Sequence, residues 1–598
     1  MRVDRGVVVF VSLMIAVAAV FILRPTGGPV AGELATFQSQ ADLVRFLDHA
    51  RSQPGGGILA AMGDGLLPGL PQAGSMERFS RTNVQVAGVD ELDVVKTDGE
   101  YLYLVSATNV TIVEATPPGQ MHVVARISTA DLGIPPEPKT DSPGYTTGLY
   151  IAGIFVEGDR LAIVSTSYGI VWLEASDRIL LPEAESGRPR TYVSVFVLSP
   201  ASAPSLDFVQ GVSGSLSAAR STNGHLYAIV QDYIMEVDEE YVLPETCSRA
   251  TCEAVQAQRI YYDPESKDAG LFTNILAVNF RTGTAAVMSI VTGYTSVLYM
   301  SSQALYLTFV KWVGVPSTPD EWRAAVAWTS IYKILASGIS LHAAAEGDVP
   351  GTVLNQFSMD EHDGLLRVAT TTGWGESNNV YVLNGTLDVI GSLVGLAPGE
   401  RIFSARFLGD VLYLVTFRQV DPFFVIDLSD PTKPKVLGEM EIPGFSTYLH
   451  PVDETHVLGV GMENQTLKLS LFDVSDPSHP IESSKFSTDE FVWSVALYDH
   501  KAILFDRSRE LLVLPISRWD GSASGAYVFR VSPATGISLR GVISHAAELG
   551  YADVYRSLYI GETLYTISPY LVKAHSLVDL SEVGSLVYEP PPEAATKG

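Results

Sequence analysis

An all-β chain closed into one ring of about eight four-stranded blades (seven to nine) is the architecture predicted, and three features predict it. From Phe79 onward, short runs rich in Val, Ile, Leu, Tyr and Phe are broken by Gly, Asp, Asn and Pro, with almost no amphipathic helix. A polar turn followed by an apolar strand recurs as DGEYLYLV at 98, EGDRLAIV at 157, NGHLYAIV at 223, SQALYLTF at 302, DGLLRVAT at 363, GDVLYLVT at 409, DETHVLGV at 453, DHKAILFD at 499 and GETLYTIS at 561. Intervals between 363 and 499 are about 45 residues, and the others stretch to between 59 and 79, as happens when loops are enlarged. One unit shows the internal layout: RIFSARFLG, VLYLVTF, PFFVIDLSD and PKVLGEMEI are four strand-like runs within about 40 residues. Such a sheet cannot bury both faces alone, so neighbours must stack around an axis as propeller blades. Nine units are counted, of which the outermost two could share a blade; residues 79–97 are expected to supply a strand that closes the ring against the last unit.

The elements before the ring follow in order. Residues 1–5 read as a cytoplasmic amino terminus, with Arg2 and Arg5 ahead of an apolar run from Gly6 to Leu23 that Arg24 and Pro25 close. A run of this length fits a membrane-spanning signal anchor. The best small-x-small site, Ala16-Val17-Ala18, lies inside the run, which favours an uncleaved anchor over a signal peptide. The arginine balance places the body outside, giving a single-pass cell-membrane protein with an extracellular, secreted-type domain. Residues 24–77 read as a short helix and a tether: Ser39 caps a helix through Leu43, Phe46 and Leu47 that ends near Ser52, and 53–75 are crowded with Gly and Pro. The propeller is assigned to 78–588 and a disordered tail to 589–598. Insertions at 233–271 and 312–328 are expected to cap one face.

Composition narrows the function. A formal charge of −28 repels a phosphate backbone, so nucleic acid is excluded as a partner. The two cysteines, Cys247 and Cys252, are expected to pair in a loop, in preference to holding zinc, because no histidine lies near. Sequons begin at Asn109, Asn384 and Asn464.

The acidic clusters Asp90, Glu91, Asp93 and Asp360, Glu361, Asp363, with Asp453 and Glu454, could gather a cation, calcium being the one considered, or serve as acid and base. Their position near turns favours a role in backbone geometry, and no other cofactor is expected. Histidines 450, 456, 479 and 500 fall in one stretch, with Asp499-His500-Lys501 placing acid and base beside an imidazole; structural histidines are the favoured reading. Arg220, Arg406 and Arg418 flank equivalent strands and could line the channel to hold an anion, or pair with carboxylates of neighbouring blades, which is favoured. The turns DLSDPTKP and DVSDPSHP, at Asp427 and Asp473, mark blade corners. No H-E-x-x-H, paired C-x-x-C or G-x-S-x-G pattern occurs.

The strings SRTNVQVAGVDELDVVKTDGEYLYLV from Ser80, LNQFSMDEHDGLLRVATT from Leu354, ERIFSARFLGDVLYLVTFRQVDPFFVIDLSDP from Glu400, and GFSTYLHPVDETHVLGVG with LKLSLFDVSDPSHP from Gly444 resemble a largely uncharacterised family of secreted archaeal and bacterial proteins with a C-terminal β-propeller domain. The resemblance covers about residues 78–580 and implies a fold and an exported location, with no reaction or ligand to carry over. The expected function is therefore a non-enzymatic cell-surface binding or scaffolding protein for a protein, peptide or glycan. The rival is an exported hydrolase or lyase with a carboxylate or carboxylate–metal site at the channel, and a structural envelope component is a third reading.

Overall fold

The structure is a computed structural model that describes residues 34–52, 78–135, 145–171, 188–199, 202–237, 239–249, 251–264, 266, 269–313, 326–373, 375–417, 421–518, 524–546 and 553–590. The span expected over 6–23, the tether at 53–75 and Arg418 lie outside these residues. Among the described residues no helix is long and apolar enough to cross a membrane.

Alternating apolar residues with tight polar turns form antiparallel meanders, and nine sheets each contain a four-strand antiparallel meander, with the inner strand split in one and an insertion between the second and third strands in another. We number the blades 1 to 9 by their residues: 95–128, 145–213, 215–292, 295–350, 352–396, 401–442, 445–487, 504–543 and 556–587. Nine is the upper end of the expected range. Each blade packs its buried face on the next, for example Tyr413 and Phe423 of blade 6 on Leu449 and Phe472 of blade 7, with the Phe423 and Phe472 rings 4.6 Å apart. A ninth core joins Leu102 and Leu104 of blade 1 to Tyr565, Val572 and Ala574 of blade 9, so the ring is closed. Each buried Leu, Val or Phe contributes about 1.5–3 kcal/mol relative to exposure, so these shared cores hold the circle together.

Blade 9 supplies all four of its own strands, and blade 1 supplies its own, so the outermost units do not share a blade. The segment expected to close the ring lies instead along the inner edge of blade 9. There Phe79 bridges Ile560, and the Ser80 amide donates to the Tyr559 carbonyl. Gly99 permits this: its φ is +93°, and a Cβ there would lie 2.6 Å from Phe79.

Eight of the nine recurring strings are the turn and second strand of a blade, as the repeat predicts. DHKAILFD is different. It leads into the shortened inner strand Leu504–Asp506, and the turn of blade 8 is Arg507–Glu510.

Strand direction sorts the connections onto two faces. Turns from first to second and from third to fourth strands are short and share one face. The opposite face carries the connections from second to third strands and between blades, and among the described residues the long ones are 234–270 and 488–503. The insertion at 234–270 adds the hairpin Glu245–Ser248/Thr251–Ala254 to the outer edge of blade 2 and Ile260–Tyr262 to that of blade 3.

The single described α-helix, Gln40–Ser52, begins at the predicted cap, where the Asp42 amide donates to Ser39 Oγ at 3.2 Å. It is docked: Phe37, Leu43 and Leu47 are buried against Tyr241, Val255 and Ile260 of the insertion. Glu589 is also engaged, since Thr111 Oγ1 donates to its Oε1 at 2.8 Å.

Candidate functional site in the central channel

Two blades have irregular inner edges, and these shape the channel. In blade 5 the inner strand is split by the turn Gln356–Ser358, which puts Phe357 among buried residues. Ahead of blade 8 the turns Val495–Leu497 and His500–Ala502 do the same for His500, which is fully buried. Residues 80–93 then thread between the blades and fill the middle.

Five inner strands carry a β-bulge at the same height: blades 2, 3, 4, 6 and 7 re-enter register at Gly153, Ala218, Val297, Ser404 and Tyr448. Two residues beyond each lie Phe155, Arg220, Tyr299, Arg406 and His450, one per blade at an equivalent position.

The first acidic cluster both accepts nearby amides, Asp90 Oδ1 that of Glu91 at 2.9 Å and Asp93 Oδ1 that of Val94 at 2.7 Å, and forms ion pairs. Lys96 Nζ donates to Asp90 Oδ1 at 2.6 Å, to Thr82 Oγ1 at 2.7 Å and to the Glu91 carbonyl at 2.8 Å. Glu91 Oε1 accepts from the Gln85 amide and from Gln356 Nε2, both at 3.1 Å, and its Oε2 lies 3.7 Å from Arg220. Asp93 Oδ1 accepts from Arg556 Nε at 3.1 Å and Nη2 at 3.0 Å, and Arg556 also donates to Asp499 Oδ2 at 2.5 Å. Burial alone would raise the Asp499 carboxyl, but the charges of Arg556 and Lys501 hold it below its ordinary value.

The second cluster is dispersed. Asp360 Oδ2 pairs with Arg367 of the adjacent strand, Glu361 Oε1 lies 3.9 Å from Lys333, and Asp363 sits exposed in a turn with φ of +51°. The two clusters do not meet. Among the described residues the one trio of possible metal ligands within 4.8 Å is Glu245, Cys247 and Cys252, and those sulfurs are already bonded to each other across the hairpin.

The histidines separate too. His456 pairs with Asp453 and His479 with Asp476, both at 3.0 Å on short turns. His450 and His500 are buried in the channel. His500 occupies a turn, so its ring does lie near Asp499, at 3.6 Å, and 3.7 Å from Glu91, yet neither ring nitrogen has a hydrogen-bond partner. Burial, with the charges of Lys501 and Arg556, holds its pKa well below 6.5, so the ring is neutral. Burial and the Arg406 charge do the same to His450.

The arginines divide. Arg220 donates to the Ala219 carbonyl at 2.9 Å and to Gln356 Oε1 at 2.5 Å besides approaching Glu91. Arg406 makes no hydrogen bond and no ion pair to a described residue; its guanidinium lies 5.1 Å over the Phe357 ring. Sequence reasoning missed Phe357, Tyr448, Lys96, Asp499 in its pairing role, and Arg556, whose partner Asp93 is 463 residues away.

Asp427, Asp430, Asp473 and Asp476 each accept the amide two residues on, at 2.9–3.0 Å, at corners of blades 6 and 7. Asn109 opens a strand, while Asn384 and Asn464 lie in turns. A cavity of about 530 Å³ opens at the short-turn mouth, lined by Arg81, Asn83, Asp90, Lys96, Lys501 and Arg556 among others.

Seven aromatic side chains are strongly exposed among the described residues: Tyr150, Tyr168, Tyr233, Tyr294, Phe491, Trp493 and Tyr498. All seven lie on the long-loop face: Tyr150 and Tyr168 on the outer part of the blade 2 hairpin 145–171, Tyr233 at the end of a second strand, and the rest between blades. Exposed aliphatics such as Val124, Val394, Val436 and Val583 lie on the outermost strands of blades instead.

The family model described as "Beta propeller domain" matches residues 79–580. An uncharacterized protein of Archaeoglobus fulgidus is 30% identical over 577 residues, covering 85% of this chain and 85% of its own length. An uncharacterized protein of Methanocaldococcus jannaschii is 28% identical over 573 residues, covering 82% and 80% respectively.

Proposed function

We propose that this chain, which belongs to the beta-propeller domain family, is a binding or scaffolding protein that engages its partner through the long-loop face. The observation that carries this reading is that all seven strongly exposed aromatics among the described residues lie on that face. Tyr, Trp and Phe supply large contact area at low entropic cost and are enriched in recognition surfaces. Trp493 and Tyr498 already lie with ring centroids 5.2 Å apart, a ready platform for a peptide or glycan. The rival catalytic reading loses support because the channel carboxylates Asp90, Glu91, Asp93, Asp360 and Asp499 each face a cation, which leaves none poised as a free acid or base. An apolar run at 6–23 supports tethering of this ring outside the cell membrane.

Co-sedimentation with purified cell envelopes tests the reading. A chain of residues 34–598, which leaves out the apolar run, is expected to pellet with envelopes, and the same chain carrying Trp493→Ala and Tyr498→Ala to lose most of that binding. A control pair on the blade edges, Val394→Ser and Val583→Ser, is expected to keep it. Equal pelleting of both variants, or none by the parent chain, overturns the assignment of the face.

A further inference from the structure

Arg406 is 7% exposed and equivalent in register to Arg220, yet it lacks the carboxylate that its counterpart has. Its Nε is sealed off without a partner, while the two terminal nitrogens make no hydrogen bond and are not fully buried. Around it the charges are already matched: Arg367 holds Asp360 through Oδ2, and Lys333 faces Glu361. Asp360 is near enough for its charge to act on Arg406 but is held by Arg367, so among the described residues Arg406 has no carboxylate at ion-pair distance. A buried guanidinium normally has a counter-charge, because desolvating it costs several kcal/mol, on the order of the figures for buried ions generally.

A second feature converges on the same spot. Tyr299, at the equivalent position of blade 4, accepts the Glu361 amide at 2.9 Å on its hydroxyl oxygen, and the hydroxyl proton has no acceptor among the described residues. Phe357 backs the guanidinium, and Tyr448 packs on Phe357 with ring centroids 5.7 Å apart. From residues 80–93, Asn83 reaches the Tyr448 hydroxyl, Gln85 the carbonyls of Gln356 and Met359, and Glu91 the Gln356 side-chain amide, and none of these three bonds Arg406.

We propose that the channel between blades 4 and 7 is a binding site for a small oxyanion, held by the terminal nitrogens of Arg406 with the Tyr299 hydroxyl as second donor. Guanidinium matches carboxylate, phosphate and sulfate alike, so the chemistry shared is a compact anion with two or more oxygens. This site is independent of the long-loop face, and either can fail without the other.

Thermal unfolding of the full chain tests it with acetate, phosphate and sulfate in turn, each titrated against chloride at equal ionic strength. A ligand that binds only the folded form raises the midpoint in a way that saturates at one site's isotherm after general salt effects are subtracted. The parent chain is expected to show that saturable rise with at least one of the three, and Arg406→Met to lose it. Equal responses of the two chains to all three anions overturn the site as an adventitious salt effect. If Arg406→Met does not fold, calorimetric titration of the parent chain decides: heat fitting one site supports the proposal, and no heat with any of the three anions sinks it.

Discussion

Arg220 and Arg406 hold the same place in blades 3 and 6, and the two sides of the channel treat them oppositely. Toward blades 1, 3 and 9, residues 80–93 present Asp90, Glu91 and Asp93, which engage Lys96, Arg220 and Arg556. Toward blades 5 and 7 the same segment presents Asn83 and Gln85, which carry no charge, and its Glu91 meets blade 5 through the uncharged Gln356 amide. Arg220 is therefore locked by a buried ion pair, whereas Arg406 is left with an unpartnered Nε. Buried polar groups are nearly always satisfied, so the contrast separates a structural arginine from one open to a ligand.

The locked side should give the largest effect. Arg556 bridges Asp93 and Asp499, so Arg556→Met strips the buried Asp93 of its cation and leaves Asp499 with Lys501 alone, 3.5 Å away. Removing one partner of a buried pair costs about 3–5 kcal/mol, and the chemical denaturation midpoint is expected to fall accordingly. An unchanged midpoint would mean that the threaded segment is not pinned by charge.

The matched arginines sharpen the contrast. Arg220→Met strips Glu91, 3% exposed, of its cation and is expected to cost about 3 kcal/mol by the same reasoning. In buffer without oxyanions, Arg406→Met removes a charge that has no partner to abandon, and loses only a cation–π contact worth about 0.5–2 kcal/mol. Its stability should stay within about 1 kcal/mol of the parent chain, because the avoided desolvation offsets that loss. Equal losses in the two variants, by parallel denaturation curves, would erase the distinction between the two arginines.

What was legible in the sequence follows the range of the interaction. The DLSDP and DVSDP corners could be read because Asp473 bonds the amide of Ser475, two residues on, and the helix cap because Ser39 bonds Asp42. The repeat revealed eight of the blade turns because each is a local hairpin. It misplaced the one in blade 8, where Asp499 and Lys501 imitate a turn signal while belonging to the passage between blades. The true turn there has no glycine, and Glu510 takes its place with φ of +50°. Channel pairings were hidden for the opposite reason: Glu91 meets Gln356 across 265 residues, and only closing the ring brings them together. Carboxylates adjacent in sequence, such as Glu91 and Asp93, consequently serve different blades.

The smallest effect is a pH dependence with two stages. His450 and His500 are buried neutral with folded pKa values well below 6.5, so below about pH 6.5 the unfolded chain takes up protons that the folded chain refuses. Their contribution to stability is complete above that pH and declines as the pH falls, with a slope of up to about 1.4 kcal/mol per pH unit for each histidine. Asp499 adds a later stage: its folded pKa is depressed, so its contribution is full above the unfolded value of about 3.9 and is lost as pH falls through the folded value. Melting midpoints measured from pH 8 to pH 3 at constant ionic strength should therefore begin to fall near 6.5 and fall further near 4. The comparison of the two arginines enters through Arg406, whose charge opposes protonation of His450. In Arg406→Met the His450 pKa should move back toward 6.5, so the upper stage should shrink, whereas His450→Gln should remove that share of it outright. A midpoint flat between pH 8 and pH 5 in the parent chain would show that the two imidazoles are not held neutral by the fold, and with it the electrostatic picture of the blade 6 and 7 side would fail.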